Sequence, residues 1–216
     1  MSDASRRRLL VALVAALAGA CSTHGSAAAG RRVEPDTVLR AELLRRETAD
    51  QAVREQFVVA LRDGKQPDSA LVARMSAVDA ENTRRLREIV ARLGWPGRST
   101  VGADGEDAAF TLVQHADADT ALQARVLPML ERAYHASEAT GQQVALLTDR
   151  VATARGAPQE YGTQVKIVGG HAVLKPVRDS ANVDARRARV GLPPLREYLH
   201  MIDSAYTPRA QHSTPR

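Results

Sequence analysis

Cysteine is almost missing from this chain: in 216 residues it occurs once, as Cys21. A lone cysteine excludes an intramolecular disulfide. Beyond residue 21 it also leaves no thiol nucleophile and no thiolate metal ligand. Stability must come from packing. No charge of one sign dominates either: 30 Lys and Arg face 25 Asp and Glu, a net +5. Arg6, Arg7 and Arg8 against Asp3 account for two of these, so the chain after residue 20 carries +3. Acids interspersed among the arginines argue against a nucleic-acid partner. Also absent are a Gly-rich phosphate loop, His-Glu-x-x-His, Gly-x-Ser-x-Gly and any repeat of fixed period. Gly94, Gly97, Gly102 and Gly105 follow no strand and are wrongly spaced for a dinucleotide fingerprint. No cofactor and no resident metal is expected.

What is present begins at the amino terminus. Three arginines precede an apolar run, Leu9 to Ala20, that is too short to span a bilayer. With small residues at its end, this is the tripartite form of a secretory signal, residues 1–20. The ending Leu17-Ala18-Gly19-Ala20-Cys21 resembles a bacterial lipobox, in which the cysteine thiol takes a diacylglycerol. A cleaved signal without lipid and an uncleaved anchor are the rival readings; lipidation of Cys21 is favoured. Ser5-Arg6-Arg7-Arg8-Leu9-Leu10 resembles the twin-arginine export signal, although three arginines also simply orient an ordinary signal. The expected address is outside the cytoplasm, on a membrane. Ser22 after the cysteine favours the outer membrane if the host has one.

Residues 21–34 read as the lipidated cysteine and a flexible tether reaching on the order of 20 Å. Residues 204–216, with Pro208 and Pro215, read as a disordered tail. Between them, residues 35–203 read as one mainly α domain of about six to seven orthogonally packed helices, with one small β-hairpin near the C-terminus. Asp36 suits the cap of a helix running to about Arg62, with Leu39, Leu43, Val53, Phe57 and Leu61 inward. The cleanest stripe is Leu71, Met75, Val78, Asn82, Leu86, Ile89 and Leu93, ended by Gly94 and Pro96. Asn82 is its only polar member. A buried unpaired amide would cost a few kcal/mol, so Asn82 should have a partner, expected in the loop at 159–164. Further helices are expected at about Glu106–His115, at Asp119–Thr140 with a kink or break at Pro128, and at Gln143–Ala154. The period then switches to two over Gly162–Val168, and after Gly169-Gly170 the chain returns from His171 to Lys175. A short helix from near Asn182 to Gly191 and a last one carrying Leu195, Leu199 and Ile202 complete the reading.

Three constellations could carry chemistry. His115, Asp117 and Asp119 have donor types that suit zinc or manganese, but Asp119 is better explained as a helix cap and Asp117 as charge at that helix's positive end. Asp149 and Arg150 are adjacent on a helix and need separate partners, so one of them should turn inward. Gln159-Glu160-Tyr161-Gly162-Thr163-Gln164 packs two amides, a phenol and a hydroxyl into six residues. That set suits a polar neutral ligand, or else satisfies the backbone of a long connection.

Taken in order, several motifs from about Asp79 to Leu199 resemble an uncharacterised bacterial family known as domain of unknown function 6624. They are Asn82 with Gly94-Trp95-Pro96, Val101-Gly102, Gln114-His115-Ala116-Asp117, Asp149-Arg150-Val151, Gly156 with Gln159, Tyr161 to Gln164, Arg186-Arg187 and Val190-Gly191-Leu192. Val165 departs from the aromatic usual after the second glutamine. The resemblance implies no reaction; it implies that Asn82, His115, Asp149, Arg150, Gln159, Tyr161 and Gln164 belong to a common design.

Two functions fit. One is a non-catalytic envelope lipoprotein, membrane-bound through Cys21, whose domain binds a polar ligand or a protein partner. The other is a hydrolase using His115 as general base with Asp149 orienting it. The first is preferred because no nucleophile can be named. The expected ligand pocket comprises Gln114, His115, Asp149, Gln159, Tyr161 and Gln164, with Arg150 at the rim.

Overall fold

The structure, a computed structural model, describes residues 35–168 and 171–206. The expected signal, Cys21 and the expected tether, residues 169–170 and residues 207–216 lie outside the described residues. The described chain forms seven α-helices and one hairpin: α1 (Thr37–Arg62), α2 (Ser69–Leu93), α3 (Arg98–Gln114), α4 (Thr120–His135), α5 (Gly141–Ala154), β1 (Val165–Val168), β2 (His171–Leu174), α6 (Val183–Arg189) and α7 (Leu195–Tyr206). A 3₁₀ turn at Ser180–Asn182 leads into α6. No described helix is long and apolar enough to cross a membrane.

Capping side chains start most of the long helices. Asp36, Asp68 and Asp119 accept from the backbone N–H three residues on, at Leu39, Leu71 and Leu122. Thr140 and Gln143 form a reciprocal capping box at α5. α1 sits between α2 and α3 and determines how they lie. Arg40 pairs with Asp104 and Asp50 with His115, so α1 and α3 advance together. Glu42 pairs with Arg85 and Arg54 with Asp79, so α1 and α2 run oppositely. The backbone N–H of Asp36 also donates to Thr100 O at 2.7 Å, tying the start of α1 to α3. The core is Leu39 and Leu43 of α1, Leu86, Ile89 and Val90 of α2, the Ala108–Val113 stretch of α3, and Leu122, Val126, Leu130 and Leu147 of α4 and α5.

The helical class and the single antiparallel hairpin are as the sequence reads. In that hairpin Val165 faces Leu174 and Val168 faces His171. Several boundaries differ. α3 begins at Arg98, eight residues before the expected start, because the chain makes a helical turn and then breaks at Gly102 (φ +75°) before resuming. A Cβ at Gly102 would meet Asp104 Oδ1 at 3.0 Å and Arg40 Nε at 3.3 Å, so the residue needs both the left-handed backbone and the missing side chain. α4 continues through Pro128 without splitting and stops at His135, since Thr140 is committed to capping α5. Leu93, expected inward, is 46 % exposed, and Val90 takes the inward place in the last turns of α2. α7 runs to Tyr206 and buries Ala205, so the tail does not begin at Ser204.

Candidate functional site

Three polar regions stand out, and they differ in how completely their groups are used. The first is the loop leaving α5. Asp149 points inward and is fully buried. Its Oδ1 accepts from the backbone N–H of Glu160 (2.7 Å) and Tyr161 (3.0 Å). Its Oδ2 accepts from the N–H and the hydroxyl of Thr163 at 2.9 and 3.0 Å. Gln159, equally buried, donates from Nε2 to the carbonyls of Gln164 and Lys175, both at 2.9 Å, and accepts from Gln164 N–H at 2.8 Å. Arg187 closes the far side: buried, it donates to Pro193 O and Tyr161 O, and its guanidinium lies 4.9 Å from the Tyr198 ring centroid. The Tyr198 hydroxyl donates to Thr163 O at 2.8 Å, and Arg186 Nε to Glu160 O at 2.8 Å. Gly162 (φ +70°) threads between, where a Cβ would stand 2.9 Å from Leu195. The polar residues at 159–164 thus serve the backbone of a non-repetitive connection, which needs such partners when buried. Tyr161 is half-buried, and burial pushes its phenol pKa up.

The second region is His115, at the end of α3. Its partner is Asp50: Nδ1 stands 2.7 Å from Asp50 Oδ2. Asp50 is buried and also accepts from Arg54 Nε (3.2 Å) and Gln51 Nε2 (2.9 Å). Burial alone would push the Asp50 carboxyl up; His115 and Arg54 outweigh it and hold it below the ordinary range. Arg54 reaches on to Asp79 at 2.6 Å, whose carboxyl burial pushes up. The expected pairing of His115 with Asp149 is therefore corrected: every hydrogen bond of Asp149 goes to the 160–163 loop. Asp50 carries no motif, and one signal could have found it. It lies seven residues after Leu43 and seven before Phe57, a carboxylate on the inward stripe of α1.

The other candidates are placed singly. Arg150 forms an ion pair with Asp117 and takes no part in the Asp149 loop. Gln114 is half-buried, and its carbonyl, with that of Val113, accepts from the buried Gln123 amide, which finishes α3. Asp119 caps α4 and pairs with Arg87 at 2.6 Å. His115, Asp117 and Asp119 therefore have three different partners, and no group of three metal-ligating side chains is found among the described residues. Asp149, Gln159, Thr163 and Gln164 come together as one bonded clasp; His115 is not bonded into it.

The third region was only half legible. Asn82 is buried, but its partner is Arg46, whose Nη1 donates to Asn82 Oδ1 at 3.3 Å, and not the 159–164 loop. Asn82 faces α1, whereas the loop is held by α5 and α6. The other amide atom, Nδ2, has no hydrogen-bond partner. Asn82 lies on the wall of an open cleft of about 550 Å³ between α1 and α2, lined also by Ala49, Ala77 and Val78 and by Arg45, Arg46, Glu42 and Glu81.

A further buried acid, Glu106 on α3, escapes sequence reading. Trp95 Nε1 donates to it at 3.2 Å and Gln143 Nε2 at 3.0 Å, and Arg98 Nε stands 3.6 Å away. Burial, aided by the neighbouring Asp107, pushes its carboxyl up to about 7 against the pull of these partners.

Compared with known proteins, residues 35–211 match the model of a family of unknown function, DUF6624, a longer stretch than the motifs from Asp79 to Leu199 cover. No curated protein and no solved structure gives a match.

Proposed function

The chain belongs to the family of unknown function DUF6624, and since membership brings no activity with it, we propose from its own residues that it is a cell-envelope lipoprotein. Cys21 carries the lipid, and the helical domain binds a polar ligand or partner without transforming it. The basic, apolar and small-residue order of residues 1–21 supports the anchor. The binding role rests on one observation, the unpartnered Asn82 amide on the wall of the α1–α2 cleft. Native proteins rarely leave a buried donor unpaired, and a ligand acceptor would satisfy it. Pockets of this size, largely apolar with a few fixed polar groups, are the common form of small-molecule sites. The test has two parts. Cys21→Ser is expected to abolish fatty-acid labelling, and unchanged labelling would end the anchor. A screen of envelope fragments by thermal shift should yield ligands that Ala77→Trp, which fills the cleft, no longer binds. Hits indifferent to that substitution would remove the cleft from consideration.

A second reading keeps the hydrolase, with its parts reassigned. Asp50 fixes the His115 ring through Nδ1, which leaves Nε2, on a side chain one-fifth exposed, as the available base. Ester or amide hydrolysis lost in both His115→Ala and Asp50→Asn, with the fold intact, would favour it over the binding role.

A further inference from the structure

Resting on the binding role of the α1–α2 cleft, we infer that its ligand is a carboxylate on a small apolar body, received by Asn82 and Arg46 together. Among the described residues, the charges around the cleft leave one guanidinium without a counter-ion, next in sequence to Arg46. Glu42 accepts both Nε and Nη2 of Arg85, at 2.7 and 2.8 Å, in addition to Arg46 Nε at 2.9 Å. Those bonds, Arg85's foremost, hold the Glu42 carboxyl down to about 2. Glu81 is held by Arg84 through two bonds, and Glu88 by Arg84 and Arg85. Three carboxylates thus face four guanidiniums. Arg45 is the one left over, exposed at the rim and with no ion pair among the described residues.

Arg46 is also only partly spent. Its Nε is firmly bonded to Glu42, but Nη1 makes just the 3.3 Å contact to Asn82 and a 3.6 Å approach to Glu81. A turn of that guanidinium away from Asn82 Oδ1 frees Nη1 for an anion, while Glu42 keeps both bonds from Arg85. Asn82 Nδ2 and the Arg46 guanidinium then present donors side by side, the arrangement a carboxylate accepts and a carboxamide satisfies less well. Ala49, Ala77 and Val78 give an apolar body small side chains to lie against beside the charge. A peptide carboxyl terminus ending in small residues and a short acyl acid share that chemistry.

Calorimetric titration of the purified full chain with N-acetyl-dialanine, its carboxamide and hexanoate tests this. The free acid should bind at least about tenfold more tightly than the carboxamide, the factor expected of a charge-assisted over a neutral hydrogen bond. Arg46→Gln should erase that ratio, and Asn82→Leu should weaken the acid with no loss of melting temperature. Dipeptide binding without hexanoate names a peptide end, and hexanoate alone names an acyl acid; either supports the carboxylate. Equal binding of acid and carboxamide, both lost in Ala77→Trp, would overturn the carboxylate and leave the cleft a neutral-ligand site. No binding of any probe overturns the carboxylate also, and the envelope-fragment screen then decides separately whether the cleft binds anything.

Discussion

Asp149 and Asn82 are both buried polar residues on helices, and they are used in opposite ways. Asp149 gathers hydrogen bonds from three residues of a loop that has no regular structure to satisfy it. Asn82 has one long contact and an idle donor. Both positions fall among the motifs that carry the resemblance to the family, so such a motif does not by itself distinguish a site from a strut. The distinction lies in whether the polar groups are already consumed. At Asp149 they are, and the residue holds the fold; at Asn82 one donor is left over.

The largest expected effect comes from the consumed side. Asp149→Ala leaves buried loop N–H groups without an acceptor and should cost roughly 3–5 kcal/mol, read by urea unfolding. A loss under 1 kcal/mol would show that the loop re-solvates and that the clasp is not structural. Glu106 comes next, because it is supplied with donors yet not fully compensated for burial. Its carboxyl is raised to about 7 when folded, so the folded state holds the proton more tightly than the unfolded one. The resulting stability is fully present below the unfolded value near 4.5 and is lost as pH rises through about 7, some ~3 kcal/mol in all. Unfolding midpoints at pH 5 and pH 8 should show that decline, and Glu106→Gln should flatten it. A slope identical in the variant would assign the decline elsewhere.

Smaller effects belong to the unconsumed side. Asn82→Leu removes a poorly paired amide and fills its space, so stability should stay within about 1 kcal/mol of the parent or rise. A loss near that of Asp149→Ala would place Asn82 among the struts and erase the contrast. Smallest of all is Tyr161→Phe, whose hydroxyl makes no hydrogen bond to another described residue. Its melting temperature should move by no more than about 0.5 kcal/mol implies. A large drop would mean that the clasp extends to the phenol.

The helices most readable in the sequence are those with long uninterrupted periods. The stripe from Leu71 to Ile89 needs no tertiary help to be seen, and Asp36 caps α1 as its position suggests. The start of α3 is not legible, because Gly97, Gly102 and Gly105 carry the local propensity of a loop. Contacts from a distant helix override it, with Arg40 reaching Asp104 and Val101 buried beneath. The site followed the same rule. The polar residues of the candidate set are real participants, since Asp149, Gln159 and Gln164 meet. Their partners lie far away in sequence: His115 is 65 residues from Asp50, and Asn82 is 36 from Arg46. No spacing rule reaches across such gaps, so the residue types were legible and their pairing was not.

The way the chain enters the fold has a mechanical side. Asp36 ties the first turn of α1 to Thr100, and three ion pairs at Arg40, Glu42 and Arg54 and the Asp50–His115 hydrogen bond lie down the same helix, alternately toward α3 and α2. A pull applied at Pro35 along the axis of α1 would load those cross-links in shear, several at once, whereas a hairpin or terminal loop would peel open one bond at a time. If Cys21 is the anchor proposed above, the domain hangs from its longest described helix, and the load is shared between the two helices packed against it.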